Sequence, residues 1–299
     1  MTADRALLGE LAAARLVGSP RHLETRDLLR RELAQRGFVV LEHRFAAAPR
    51  FPLWGPAPSE GVNLIAVRPH TRITTWLAAH YDSKGQPLSM AWRLLAVIAL
   101  VTVLVGAIAA TVFGGPRIAL WVGALALATG FLALNRATDA SPGAVDNATG
   151  LLTVLAALDA TPPEAGVGAL LLDAEEWGLV GARALVRDRA NLLAGTAVIN
   201  FDGIDDRGAP VLFAHRRGAL TEALAARLGA RPRRRLPVVV DGLVLARAAR
   251  ECVTIMRGDW GTTRVIHTPR DTATRLTLDG VRAVAQATAS VLASAARAG

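Results

Sequence analysis

Two of the chain's six histidines stand in short segments that also hold carboxylates, and such groups can bind metal or relay protons. The first segment is Ala78-Ala79-His80-Tyr81-Asp82-Ser83, at the end of an apolar run. Residues two apart on a strand face the same way, so Asp82 can hold the His80 ring while its other nitrogen takes a metal ion. A plain histidine–aspartate hydrogen bond explains that pair equally well. The second segment, Gly143-Ala144-Val145-Asp146-Asn147-Ala148-Thr149-Gly150, puts Asp146 where a turn opens a helix, as a cap or as a ligand. In the third, Leu171-Leu172-Asp173-Ala174-Glu175-Glu176-Trp177-Gly178, two adjacent glutamates follow a very apolar strand. The carboxyl ends of such strands are where sites gather in open α/β sheets. Neighbouring carboxylates there can divide the work, one binding metal and one taking a proton, while Asp173 reads as structural. The fourth segment sets Asp202 at another strand end, in Asn200-Phe201-Asp202-Gly203. The fifth, Ile266-His267-Thr268-Pro269-Arg270-Asp271-Thr272, reads as a loop, in which His267 is a surface histidine or a ligand and Asp271 orients its neighbours.

Each bland reading is adequate alone, but the conjunction is not. His80, Asp146, Glu175, Glu176, Asp202 and His267 form a hard, mixed nitrogen and oxygen donor set of the kind that suits zinc, with cobalt or manganese as alternatives. The single cysteine, Cys252, excludes an internal disulfide and a cysteine-built zinc site, and it lies in an apolar run typical of a buried strand. The formal charge of +9 comes almost wholly from arginine, since Lys84 is the one lysine. The densest run, Arg231, Arg233, Arg234 and Arg235, has flanking prolines and no interleaved aromatic residues, so it reads as a solvated loop and no nucleic-acid partner is expected.

The elements that must position these residues alternate. An amphipathic N-terminal stretch turns at Gly18-Ser19-Pro20 and continues as helix through Leu33; acidic and basic residues from Asp4 to Arg15 break up any signal-peptide core. Strands are expected to begin at Phe38 and over Val62–Val67, Ile73–Ala79, Val167–Leu172, Ala197–Phe201, Val238–Val240 and Val253–Met256. Helices are expected over Leu151–Leu158, Ala182–Arg189, Ala219–Leu228, Leu243–Ala249 and from Leu278 to about Ala296. This order predicts an α/β fold, a three-layer sandwich with a central mixed, mainly parallel sheet and helices on both faces.

Between His80 and Asp146 the chain departs from that pattern. Leu94–Pro116 carries no charge, then comes Arg117, then Ile118–Leu134 is again uncharged. Each part approaches the roughly 20 residues that cross a hydrocarbon core. Gly114-Gly115-Pro116 supplies a turn, Trp121 and Asn135-Arg136 supply interfacial anchors, and Gly106, Ala110, Gly114, Ala124 and Ala128 would let the helices pack closely. The expectation is a catalytic domain made of residues 1–90 and 136–299, interrupted by a transmembrane helical hairpin at 91–135 that meets the lipid bilayer through residues 94–134. Lys84, Arg93 and Arg136 flank one side against Arg117 on the other, which places the catalytic domain of this two-pass protein in the cytoplasm.

The motifs His80-Tyr81-Asp82, Asp146-Asn147-Ala148-Thr149-Gly150, Glu175-Glu176-Trp177-Gly178-Leu179-Val180-Gly181, Asn200-Phe201-Asp202 and His267-Thr268-Pro269-Arg270-Asp271-Thr272 resemble, in this order, the co-catalytic di-zinc aminopeptidases of peptidase clan MH. The bacterial leucyl aminopeptidases belong to that family, and glutamate carboxypeptidases and glutaminyl cyclases are relatives. The resemblance implies a zinc-dependent aminopeptidase acting on peptides with a free N-terminus. It implies two zinc ions bridged by Asp146, one completed by His80 and Asp202, the other by Glu176 and His267. It further implies Glu175 as general base, Asp82 as the partner that orients His80, and a cis peptide between Asp146 and Asn147. A one-zinc glutaminyl cyclase-like transferase and a non-catalytic membrane scaffold are the alternative readings. The sequence departs from the pattern in its long Asp82-to-Asp146 spacing, in Gly242 where relatives often have a histidine after the aspartate, and in having no tyrosine near its C-terminal end.

Overall fold

The computed structural model describes residues 2–48, 59–113, 118–133, 136–234 and 238–298. Its strands are β1 (Val39–Ala47), β2 (Ser59–Val67), β3 (Thr75–His80), β4 (Val167–Leu172), β5 (Ala197–Ile204), β6 (Pro210–Arg216), β7 (Pro232–Arg233) and β8 (Glu251–Arg257). Among the described residues they form one sheet in the order β1-β2-β4-β3-β5-β8-β6-β7. The centre is parallel, with β3 between β4 and β5 and β8 beside β5; toward the edges β1 pairs antiparallel with β2, β2 with β4 and β6 with β8, while β7 runs parallel to β6.

The helices are α1 (Thr2–Leu11), α2 (Pro20–Gln35), α3 (Met90–Val112), α4 (Ile118–Ala133), α5 (Thr149–Ala160), α6 (Val180–Leu193), α7 (Ala219–Leu228), α8 (Gly242–Leu245), α9 (Trp260–Thr263) and α10 (Asp279–Ala298). Alternate residues of each central strand serve opposite layers. Leu77 and Ala79 join a core with Leu8, Leu29, Leu151 and Val284 from α1, α2, α5 and α10, whereas Trp76 and Ala78 pack with Leu185 and Leu245 from α6 and α8. With both faces covered, β3, β4 and β5 are buried along their whole length, which explains their near-continuous apolar sequence.

Differences from the sequence expectation cluster at the sheet edge. Val238–Val240 forms no strand, and Val239 is 66% exposed. β6, not foreseen, pairs with β8, and Pro232–Arg233 from the arginine run takes the place beside it as β7. Strand propensity counts only where a partner edge is free, and here the edge is already filled. Arg233 and Arg234 remain exposed, as a solvated segment should; Arg235 lies outside the described residues. The expected helix Leu243–Ala249 shortens to α8 followed by turns.

The insertion folds as α3 packed on α4. Among the described residues, α3 alone is long and apolar enough to cross a membrane, with 23 residues and a mean hydropathy of 2.7. α4 has 16 residues, and the expected turn Gly114–Arg117 and the end at Leu134–Asn135 lie outside the described residues. Gly106 faces a large ring instead of a small residue: a Cβ there would lie 2.6 Å from Trp121. Side chains such as Ile98, Val105, Phe113 and Leu127 point away from the protein and are 60–86% exposed.

Two fastenings close the neck of the insertion. Gly85 and Thr138 exchange backbone hydrogen bonds of 2.6 and 2.8 Å. Deeper, the fully buried Arg15 reaches from the α1–α2 connection to both sides of the neck. Its Nε donates to Tyr81 O at 2.9 Å, Nη1 to Pro142 O at 2.8 Å and Nη2 to Gly143 O at 3.1 Å, while its backbone N–H bonds Ser83 Oγ at 3.0 Å. Burial pushes the guanidinium pKa down to about 10, so it stays charged at neutral pH. Arg15→Met would strand several buried carbonyls, each costing ~1–3 kcal/mol. We expect a loss of about 3 kcal/mol or more in urea unfolding of the purified chain, summing those terms; a loss under about 1 kcal/mol would contradict the role.

Candidate metal centre

The parallel register puts three strand ends side by side. His80 is level with Leu172, and Ala78 with Asn200, so residues at or just beyond the carboxyl ends of β3, β4 and β5 project from one edge of the sheet. Those residues are His80, the pair Glu175-Glu176 and Asp202. Asp146 reaches the same edge from the turn Ala144–Ala148 that leads into α5, in which the Asp146–Asn147 peptide is cis. His267 arrives from the loop after α9.

All six side chains converge, 2–9% exposed. His80 Nε2 lies 3.2 Å from Asp146 Oδ1, and His267 Nε2 lies 2.8 Å from both Asp146 Oδ2 and Glu176 Oε1. Candidate ligand atoms of His80, Asp146 and Asp202 fall within 4.8 Å of one another, as do those of Asp146, Glu176 and His267. Asp146 therefore belongs to two triads. Glu176 Oε1 is buried and accepts no hydrogen bond, despite its closeness to the His267 ring. An orphaned carboxylate oxygen beside an imidazole nitrogen is costly unless a cation holds both, so the residues fit a metal ion.

The charges are uneven. Burial alone would raise Asp146, but hydrogen bonds from His267 and His80 outweigh it and hold the carboxyl well below its usual range. Glu176, buried but facing His267 and Lys84, falls to about 2. Burial carries Asp202 up to about 7 and Asp241 up to about 8, and Glu175 also rises well above the usual range by burial. Glu175 makes no side-chain hydrogen bond among the described residues, which leaves its carboxylate available to a reactant.

The supporting residues differ in part from expectation. The Asp82 carboxylate lies 3.5 Å from His80 Nδ1; the hydrogen bond to that nitrogen, at 3.1 Å, goes to the Asp82 carbonyl. The carboxylate instead accepts the backbone N–H groups of Glu175 and Glu176 at 3.1 and 3.0 Å, fixing the turn that presents both glutamates. Asp271 does the same for Asp146, accepting the N–H of Val145 at 2.8 Å and of Asp146 at 3.1 Å. Asn147 ties its turn to β5, donating to Phe201 O at 2.9 Å. Asp173 is structural, bonded to His22 Nε2 at 2.7 Å and to Val62 N and the Tyr81 hydroxyl at 2.8 Å. Lys84, with Nζ 2.8 Å from Glu176 Oε2, and Asp241, whose two buried oxygens accept no hydrogen bond, were not foreseen as part of the centre. The signals existed, in the one lysine of the chain and in a lone carboxylate within Val238-Val239-Val240-Asp241-Gly242-Leu243.

The sequence profile of peptidase family M28 matches residues 63–292, which spans every residue of the centre. The chain belongs to peptidase family M28. Members of M28 are zinc metallopeptidases, in accord with the donor set. Solved structures share the fold: the glutaminyl cyclase of Fimbriiglobus ruber (TM-score 0.64, 16% identity, covering 97% of this chain and 93% of that one), the LapA aminopeptidase of Legionella pneumophila (0.62, 15%, 98% and 70%) and a Zn-dependent exopeptidase of Parabacteroides distasonis (0.65, 15%, 97% and 97%). At such identities the likeness concerns the fold alone. No curated protein sequence matches the chain.

The packing of this chain accounts for Gly242, where a Cβ would run into Thr254 Oγ1. It would also lie 2.6 Å from His215 Nε2, so a histidine from β6 already occupies the space beside it. His215 Nε2 bonds Thr254 Oγ1 at 2.8 Å, and burial lowers its pKa to about 4, so the ring is neutral at pH 7.

The shifted carboxylates set a pH dependence. Unfolded aspartates titrate near about 3.9, whereas Asp202 and Asp241 titrate at about 7 and about 8 in the fold. With folded values above unfolded ones, the stability they contribute is present in acid and lost as pH rises through the folded pKa values. A bound cation offsets that loss. Chelation by EDTA should therefore lower the melting temperature more at pH 8 than at pH 5; equal drops would refute this.

Proposed function

We propose that this M28 protein is a membrane-anchored, zinc-dependent aminopeptidase that hydrolyses the N-terminal peptide bond of peptides. The observation that carries the proposal is the pair of triads sharing Asp146 beside the unengaged carboxylate of Glu175. In this reading His80, Asp146 and Asp202 hold one zinc ion, and Asp146, Glu176 and His267 hold a second. Paired zinc ions lower the pKa of a water and polarise the scissile carbonyl.

The chain's own groups do the rest. Asp82 and Asp271 fix the peptide turns that aim Glu175, Glu176 and Asp146. Hydrogen bonding of His80 Nδ1 to Asp82 O leaves the Nε2 lone pair directed at the centre. Glu175 takes the proton of the attacking water and delivers it to the leaving amine; burial lifts its pKa well above the usual carboxylate range, which strengthens it as a proton acceptor. The carboxylate-rich site attracts the ammonium group of a free N-terminus and so confines cleavage to the first residue.

The hairpin supports the membrane half of the reading. α3 is long enough to span a bilayer, and its exposed apolar side chains need a non-aqueous surrounding. Lys84, Arg93 and Arg136 beside the neck favour a cytoplasmic head domain. Glutaminyl cyclases have the same fold, and so a one-zinc transferase is the second reading; a zinc count near one with cyclisation of N-terminal glutamine would favour it. A non-catalytic scaffold fits poorly with a complete donor set.

Glu175→Gln should retain zinc and lose about 10²–10⁴-fold in kcat on aminoacyl anilides, the ordinary contribution of a general base. Zinc content by mass spectrometry and kcat on the same sample check both halves, and wild-type turnover would sink the assignment.

A further inference from the structure

The insertion and the metal centre meet at one contact. Arg93 stands in the first turn of α3, and its Nη2 points at Nδ1 of His267 while lying 3.6 Å from Met90 Sδ. The segment before it is fastened to the same side of the centre. Gln86 N donates to His267 O at 2.8 Å, and Lys84 Nζ lies 3.2 Å from Glu176 O in addition to its ion pair with that side chain. Both cations of the stem thus face the Asp146–Glu176–His267 triad. Among the described residues, neither hydrogen-bonds nor ion-pairs with His80 or Asp202.

The two cations are not equivalent. Lys84 engages Glu176 Oε2, which leaves Oε1 free for a metal ion. Arg93 engages the ring that must itself bind the ion. A guanidinium only donates hydrogen bonds, so at Nδ1 it requires a lone pair. A neutral imidazole has one such lone pair; a metal ion at Nε2 takes it and leaves Nδ1 as an N–H. Two donors would then oppose each other, with a fixed positive charge beside a ring that bears part of a divalent one.

We propose that Arg93 and a metal ion compete for His267, so that the Asp146–Glu176–His267 position binds its ion more weakly than the His80–Asp146–Asp202 position. Loading of the weaker position turns Arg93 away from the ring. Because Arg93 is carried by the first turn of α3, the setting of the membrane helix and the occupancy of this position are linked, and the linkage acts in both directions. The inference rests on the two-zinc reading above and adds how the two positions differ.

The test is zinc titration of the detergent-solubilised full chain by calorimetry with a competing chelator. Wild type should show a tight and a weak site. Arg93→Met should tighten the weak site by about tenfold, within the usual span of coupling between sites, and leave the tight one unchanged. Arg93→Lys keeps a donor-only cation and should stay near wild type. In a His80→Ala background, which cripples the other position, Arg93→Met should tighten the remaining site by the same factor. Two equally tight sites in wild type, or a weak site that Arg93→Met leaves unchanged or weakens, would overturn the proposal. Loss of both isotherms in every protein, with the far-ultraviolet spectrum intact, would instead remove the zinc reading on which it stands.

Discussion

The metal centre depends on holding together two chain segments that a long insertion has driven apart. His80 ends β3, and Asp146 opens the turn into α5; everything between them runs out through the hairpin and back. Arg15 is the side chain that closes this gap. Its guanidinium has donors enough to bond carbonyls on both sides of the neck and rigidity enough to hold them in one plane. A buried arginine that pairs with carbonyls is stabilising only because its donors are nearly all used; a lysine has neither the reach nor the geometry. The nearby carboxylates, Asp271 and Asp82 among them, offset part of its desolvation. The same charge that fastens the neck thus also moderates the negative potential of the centre.

The sheet supplies the other half of the constraint. Parallel neighbours end together, so three strands deliver donors to one edge without any of them crossing the core. What the strands cannot supply is the orientation of the connecting turns, where backbone N–H groups have no sheet partner. Asp82 and Asp271 supply it by accepting two such groups each. They act through the peptide backbone, and so a change at either would be felt at Glu175, Glu176 or Asp146 before it was felt at an imidazole.

That distinction marks how much was legible in the sequence. Residue type and order located His80, Asp146, Glu175, Glu176, Asp202 and His267 in one series. The strand-end members His80, Glu175, Glu176 and Asp202 are visible as apolar runs with an abrupt polar stop, whereas Asp146 and His267 stand in a turn and a loop and gained meaning only from the series. The layered fold was legible for the same reason, through runs such as Val167–Leu172. Partners that act across the fold were not. The pairing of Asp82 with the Glu175 and Glu176 amides joins residues far apart in sequence, and no local spacing encodes it. Arg15 was visible as a charge in an amphipathic stretch, with nothing to say that it would be wholly buried. At the sheet edge, Val238–Val240 carried strong strand propensity and lost to Pro232–Arg233, since the outcome turned on which segment reached the β6 edge.

The position of the insertion also explains how the fold tolerates it. Closing a flexible loop costs only about 0.6 kcal/mol more for each doubling of its length, and the Gly85–Thr138 bridge closes this one at its base. α3 and α4 pack chiefly on each other, so their length and burial make little demand on the head domain. The insertion could then be nearly any hairpin, were it not that its first turn supplies Arg93 and the segment leading into its base supplies Lys84. Those two side chains carry positive charge into a cluster of buried carboxylates, where the head domain itself provides mainly Arg15. The stem is therefore part of the electrostatic balance of the centre as well as its tether, and an insertion with an uncharged stem would leave Glu176 and Asp146 with less to oppose them.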